Sequence, residues 1–247
     1  MDVEPPGGAG ERPGDPSEVV GVGMATALRA NLVRLGRHLG DDQLARLRSA
    51  LGYLEIGALA RRLAPDAEPV AAADRFAVFG HALAHVRGDA PLYLEFGVYR
   101  GETLRWWSEH LRAPGARLVG FDSFEGLPTA WRPGFESGRF GTAGPPDIAD
   151  PRVRCVAGWF DETLPDFAPP PHDQLIVNVD CDLYSSARTV LTWAAPHLAS
   201  GSLLYFDELA DRDHELRALH ELLEGSGIIL RPLAMGGGGR HFLFTVV

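Results

Sequence analysis

Apolar residues in the first third of the chain recur at helical spacing. Met24, Leu28, Leu32 and Leu35 fall three or four residues apart, and so do Leu44, Leu47, Leu51 and Leu54. Each set therefore occupies one face of a helix. Gly40 is placed to end the first helix, and Asp41 and Asp42 stand where the N-cap of the second belongs. Phe76, Phe79, Leu83 and Val86 predict a third helix stopping at Gly88. From Pro91 the pattern changes to short apolar runs. Strands are expected over 92–98, 117–122, 153–157, 174–180 and 202–207, with helices over 102–111, 185–198 and 213–223. Strands alternating with helices imply a parallel sheet covered on both faces. Two further β-rich runs, 228–230 and 241–247, are separated only by Pro232 and the glycines of 236–239. No crossover helix fits between them, so they should pair antiparallel. The expected class is α/β, a mostly parallel seven-stranded sheet closed by a C-terminal antiparallel hairpin and preceded by helices.

Three segments follow. Residues 1–18, rich in Pro, Gly and acids, have little to bury and are expected to be a disordered tail. Residues 19–70 form a helical piece whose apolar faces must pack somewhere, as a lid over a ligand or as a subunit interface. Residues 71–247 form the sheet domain. Within it, 123–151 exceeds a typical strand-to-helix connection and carries Trp131, Phe135 and Phe140. Such loops are functional or disordered, and the aromatics favour a substrate-facing loop.

Composition narrows the function. The 247 residues carry a formal net charge of −10, which argues against nucleic acid as the main partner, because phosphate contacts need clustered Lys and Arg. Nothing points to an anionic membrane. No apolar run approaches the ~18 residues of a membrane span, and no signal-peptide core is present, so a cytoplasmic protein is the expectation. Cys155 and Cys181 sit inside strand-like runs and read as small buried hydrophobes more readily than as a disulfide.

The chemistry starts at the first strand-to-helix turn. Glu95, Gly97, Tyr99, Gly101 and Thr103 run from strand to helix. Glycines there allow close backbone approach to a ligand, and the helix start offers free N–H groups. The next strand ends at Asp122, about twenty residues past Gly101, where an acid can bind ribose hydroxyls. A carboxylate at Glu95 suits the ammonium of a methionyl group and would repel a pyrophosphate. S-adenosylmethionine is favoured over NAD. Ser123, Phe124 and Trp159 complete the expected cofactor contacts.

The run from Gly120 to Pro128, GFDSFEGLP, resembles the signature of the macrocin O-methyltransferase family. Matching pieces follow in order: Glu95 to Gly101, then Gly158-Trp159-Phe160, Asp180-Cys181-Asp182-Leu183-Tyr184, and Phe206-Asp207-Glu208. The resemblance, over roughly residues 74–219, implies a Rossmann-like class I methyltransferase fold, S-adenosylmethionine and O-methylation of a hydroxylated small molecule such as a sugar. Asp180 and Asp207 each end a predicted strand, and neighbouring strands lie ~4.8 Å apart. Such carboxylates suit Mg²⁺. By resemblance the metal ligands would be Asp180, Asp207 and Glu208, the last standing where the family has aspartate. A bound metal would lower the pKa of the acceptor hydroxyl. Asp180 and His214 are the candidate general bases. Two other readings stand beside this one: a partner protein that binds the cofactor without catalysis, and a nucleotide-dependent oxidoreductase or sugar-nucleotide enzyme, which would need a phosphate-cradling glycine loop that this sequence lacks.

Overall fold

The computed structural model describes the backbone of residues 16–247 and the side chains of residues 26–247. Most of the expected tail lies outside the described residues, as does the side chain of Met24. A helix already begins at Pro16, inside the segment expected to be tail.

The chain divides into two compact units, one ending at Leu47 and one running from Arg48 to Val247. The division falls inside a helix. In the first unit, α1 (Pro16–Gly36) carries Leu28, Leu32 and Leu35, and the start of α2 (Asp41–Leu63) carries Leu44 and Leu47. Their leucines Leu28, Leu32, Leu35, Leu44 and Leu47 are exposed.

The second unit contains the sheet. In chain order its strands are β1 (Val70–Ala71), β2 (Pro91–Phe96), β3 (Arg117–Asp122), β4 (Val153–Ala157), β5 (Gln174–Val179), β6 (Leu203–Phe206), β7 (Leu230–Gly236) and β8 (His241–Val246). They are ordered β1-β7-β8-β6-β5-β2-β3-β4. All neighbours are parallel except β6 with β8 and β7 with β8. The α/β reading and the antiparallel hairpin are thus observed, but with eight strands rather than seven. The extra one is β1, two exposed residues without any apolar pattern to read. Pro232 lies inside β7 rather than in the loop after it, at a register shift where β1 no longer runs alongside. Proline is tolerated there because its missing N–H has no partner to leave.

Helices α3 (Arg75–Ala84), α4 (Glu102–His110), α5 (Phe160–Thr163), α6 (Tyr184–Ala194) and α7 (Glu215–Ser226) connect the strands. Every residue of β2 and β5 is buried, as both-sided covering of a parallel sheet requires. Alternation splits β2 between two cores. Leu92, Leu94 and Phe96 join Phe121 and Val177 on one face, and Tyr93 joins Phe79, Trp107 and Tyr205 on the other.

From β2 the chain adds β3 and β4 on one side, then β5 and β6 on the other. The order reverses between β2 and β5, and a ligand crevice opens beyond the carboxyl ends of strands at such a point. The second half of α2 packs near that end. Gly52, Ile56 and Leu59 are buried, and Arg212 makes two hydrogen bonds to Glu55, at 2.7 and 3.1 Å. A Cβ on Gly52 would stand 2.0 Å from the Ala210 carbonyl oxygen. Gly52→Ala should therefore push α2 off the loop before α7 and lower stability by roughly 1–3 kcal/mol, the usual cost of overpacking. Urea unfolding of the variant checks this, and an unchanged midpoint would contradict the packing.

Candidate functional site

A cavity of about 730 Å³ opens at the reversal point. Its floor is built by the residues that follow β2, β3, β5 and β6. Gly97 follows β2 with φ of 99°, and a Cβ there would come within 1.7 Å of the Asp180 carbonyl oxygen. Only glycine fits, and its bare backbone faces the cavity. Asp122, the last residue of β3, ties the two turns together. Its Oδ2 accepts from the N–H groups of Val98 and Tyr99, at 2.9 and 2.8 Å, and its Oδ1 accepts from Phe124 N–H at 2.8 Å. These bonds hold Tyr99 and Phe124 at φ of 50° and 61°, a conformation that costs non-glycine residues energy and concentrates at functional sites. A carboxylate has about four acceptor positions, so Asp122 keeps one free beside the cavity.

Of the residues predicted from sequence, Gly97, Tyr99, Thr103, Asp122, Ser123, Trp159, Asp180, Asp207 and Glu208 all line this one cavity. Four do not. Gly101 caps α4 at φ of 73°, packed against Pro146. Phe124 is buried in the core shared with Val98 and Leu104. His214 sits at the start of α7, where its Nδ1 accepts from Tyr184 N–H at 3.1 Å. That ring nitrogen is thus occupied, and the imidazole stands edge-on to the Trp131 ring, with centroids 6.4 Å apart.

Glu95 is the largest departure. It is fully buried under the floor, where Tyr93 Oη donates to it at 2.5 Å and Thr103 Oγ1 at 2.6 Å. Asn178 Nδ2 donates to the same Tyr93 hydroxyl at 2.9 Å. The carboxylate expected to meet an ammonium instead anchors the turn from below. Burial pushes its carboxyl up to about 7, against the hydrogen bonds from Thr103, Tyr93 and Asn178, which favour the charged form. The folded state then keeps a proton that the unfolded chain releases near 4.5. Stability contributed by this group is complete below about pH 4.5 and declines as pH rises to about 7. Glu95→Gln should shrink the loss of stability between about pH 5 and pH 8. Urea melts at the two pH values test this, and an unchanged difference would contradict it.

Across the cavity, β5 and β6 end in Asp180 and Asp207. Arg75, the first residue of α3, reaches both: its Nη2 stands 2.9 Å from Asp207 Oδ2 and its Nη1 3.5 Å from Asp180 Oδ2. Asp207 also receives Tyr205 Oη at 2.7 Å, and His241 Nδ1 lies 3.1 Å from its Oδ1. Burial works against the Asp207 charge, but His241, Arg75 and Tyr205 outweigh it and hold the carboxyl below its ordinary range. Asp180 has only the longer Arg75 contact, so burial and the Asp207 charge push its carboxyl well up. Asp182, at φ of 59°, lines the cavity too. Burial, Glu208 and Asp207 raise it to about 7.

These carboxylates do not form a metal-ligand set of the expected kind. Asp207 has both oxygens engaged, and Glu208 Oε1 accepts from Arg240 Nη1 at 3.1 Å. Among the described residues, no group of three or more His, Cys, Asp or Glu converges on one point as a metal site. Asp180, Asp207 and Glu208 line one cavity, but the first two face Arg75 and the third faces Arg240.

The outer wall is the long 123–151 segment, and it is folded. Backbone bonds link Leu127 to Arg139 and Trp131 to Phe135, and Trp131 Nε1 donates to Asp211 at 3.0 Å. Trp131, Phe135 and Phe140 line the cavity. The Arg132 guanidinium lies 3.7 Å above the Trp131 ring and 4.6 Å above that of Phe135. Arg75, Asp182 and Arg132 were all missed as site residues. Asp182 lay in view within the Asp180–Tyr184 motif. Both cysteines are free, Cys181 buried and Cys155 half-buried. No described helix is long and apolar enough to cross a membrane.

Comparison with known proteins agrees with this architecture. Residues 94–209 match a family model described as a methyltransferase domain. A curated relative from Streptomyces olivaceus is 28% identical, with 57% of this chain and 66% of the relative covered. It is named 8-demethyl-8-(2,3-dimethoxy-alpha-L-rhamnosyl)-tetracenomycin-C 4'-O-methyltransferase. The chain therefore spans slightly under two thirds of that relative's length. Among solved structures, CalS11, calicheamicin methyltransferase, is similar at 23% identity and a TM-score of 0.54, covering 98% of this chain and 99% of its own. The O-methyltransferase NovP is similar at 24% identity and a TM-score of 0.52, covering 68% and 74%. These likenesses show the fold. Residues 94–209 thus match a methyltransferase-domain model, and the strand order and crevice belong to the fold shared with these solved structures.

Proposed function

We propose that this chain transfers a methyl group from S-adenosylmethionine to a hydroxyl of a glycosylated small molecule. The observation that carries the reading is the convergence of the Gly97 turn, Asp122 and Asp180 on one cavity. Backbone of the Gly97–Tyr99 turn and the free acceptor position of Asp122 suit the cofactor's aminoacyl and ribose groups. Thr103, Ser123 and Trp159 supply further contacts on the same side. The folded loop bearing Trp131, Phe135 and Phe140 suits an acceptor with a broad apolar face. The named activity of the Streptomyces olivaceus relative, methylation of a rhamnosyl hydroxyl, points to a sugar as the site of transfer.

When bound, S-adenosylmethionine supplies an electrophilic methyl group on a positively charged sulfur. The acceptor oxygen bonds to that carbon as the carbon–sulfur bond breaks, and its electron pair stays on sulfur. The acceptor's proton passes to a carboxylate. We assign that role to Asp180 in its ionised form, its raised proton affinity suiting it to take the proton, with Asp182 lining the same cavity, while His214 Nδ1 is engaged by Tyr184. No step passes through a metal, because the three expected ligands do not fit one. Incubating the protein with methyl-labelled S-adenosylmethionine and a panel of rhamnosylated and other glycosylated aromatic compounds tests the reading. Label should enter at least one glycoside and no aglycone. Label on free phenols alone would contradict the sugar assignment.

A further inference from the structure

The pair Asp180 and Asp207 already has a cation. Arg75 enters from the start of α3, where Asp74 caps the helix by accepting from Ala77 N–H at 2.9 Å. That cap directs the first helical residue toward the ends of β5 and β6. The guanidinium then spans the two carboxylates, with one amino group on each. Its side chain is only 33% exposed, so it is held in the cavity wall rather than swinging in solvent. The remaining partners point the same way. Asp207 Oδ1 is taken by Tyr205 and faces His241, and Glu208 pairs with Arg240 on the outer side.

We infer that Arg75 is the resident cation of this carboxylate pair and that the site works without a divalent metal. Two positive groups cannot share the position, since a guanidinium and a hydrated dication compete for the same oxygens. The planar fork of arginine spans paired carboxylates, which a metal would otherwise bridge. Arg75 is thus a positioning residue: it fixes Asp207 at 2.9 Å and holds Asp180 by the longer 3.5 Å contact. The inference rests on the proposed methyl transfer for its mechanistic meaning, but its test does not depend on it.

The test uses Mn²⁺ as the probe, followed by electron paramagnetic resonance of the free ion in the presence of chelator-treated full-length protein. Wild type should leave the free-ion signal at full height. Arg75→Met should lower it, because the carboxylates lose their partner and take the metal. Arg75→Lys should behave as wild type, since it restores a positive charge. Stoichiometric uptake by wild type would overturn the inference, and so would a folded Arg75→Met protein that takes up none. If Arg75→Met fails to fold, the wild-type and Arg75→Lys measurements still decide. S-adenosylhomocysteine affinity, measured on the same samples, reports separately on the proposed function.

Discussion

Replacing Gly97 with alanine is expected to abolish cofactor binding in a protein that still contains its sheet. A Cβ at that position meets the Asp180 carbonyl oxygen at 1.7 Å, and this is backbone that cannot swing aside. The oxygen belongs to the residue following β5, while Asp180 N–H donates to Phe96 C=O at 2.9 Å. Relief therefore requires the ends of β2 and β5 to separate. The φ of 99° adds strain that any side chain would feel. Together these exceed the ~1–3 kcal/mol of ordinary overpacking. The turn carrying Val98 and Tyr99 would then lose its bonds to Asp122, which order that side of the cavity. Titration with S-adenosylhomocysteine checks this, with circular dichroism confirming retained secondary structure. Affinity within a few-fold of wild type would show that the cofactor lies elsewhere.

Asp180→Asn carries the second large effect, of a different kind. The amide keeps the size of the side chain and can still accept from Arg75, so the floor of the cavity survives. It cannot take a proton. Loss of a positioned general base costs about 10²–10⁴ in rate, and transfer to the acceptor should fall by that factor while S-adenosylhomocysteine affinity stays nearly unchanged. Equal losses of both would move Asp180 into the cofactor pocket. A variant with full activity would pass the proton to Asp182.

Much of this site was legible because strand ends are. Arg117–Asp122 and Val153–Ala157 form strands over the predicted residues, and Asp122, Asp180 and Asp207 reach one cavity because parallel strands present their carboxyl ends to the same edge. Glu95 shows where that logic fails. It shares a strand face with Tyr93, two residues earlier, so alternation turns it toward Asn178 and the core instead of the crevice. His214 was read from its place beside a helix start, but Tyr184, thirty residues away, takes its nitrogen. Arg75 was invisible for the same physical reason. Its partners lie 105 and 132 residues further along, and only the closing of the sheet brings them together. The stripe at Leu28, Leu32 and Leu35 did form one helix, yet helical spacing alone did not reveal that its leucines would be exposed.

The Gly97–Asp122 crevice is expected to bind S-adenosylmethionine. The most direct measurement is calorimetric titration of chelator-treated protein with S-adenosylhomocysteine, with and without Mg²⁺. Micromolar binding, the same in both conditions, is the expected result. Absence of binding in either condition would contradict it.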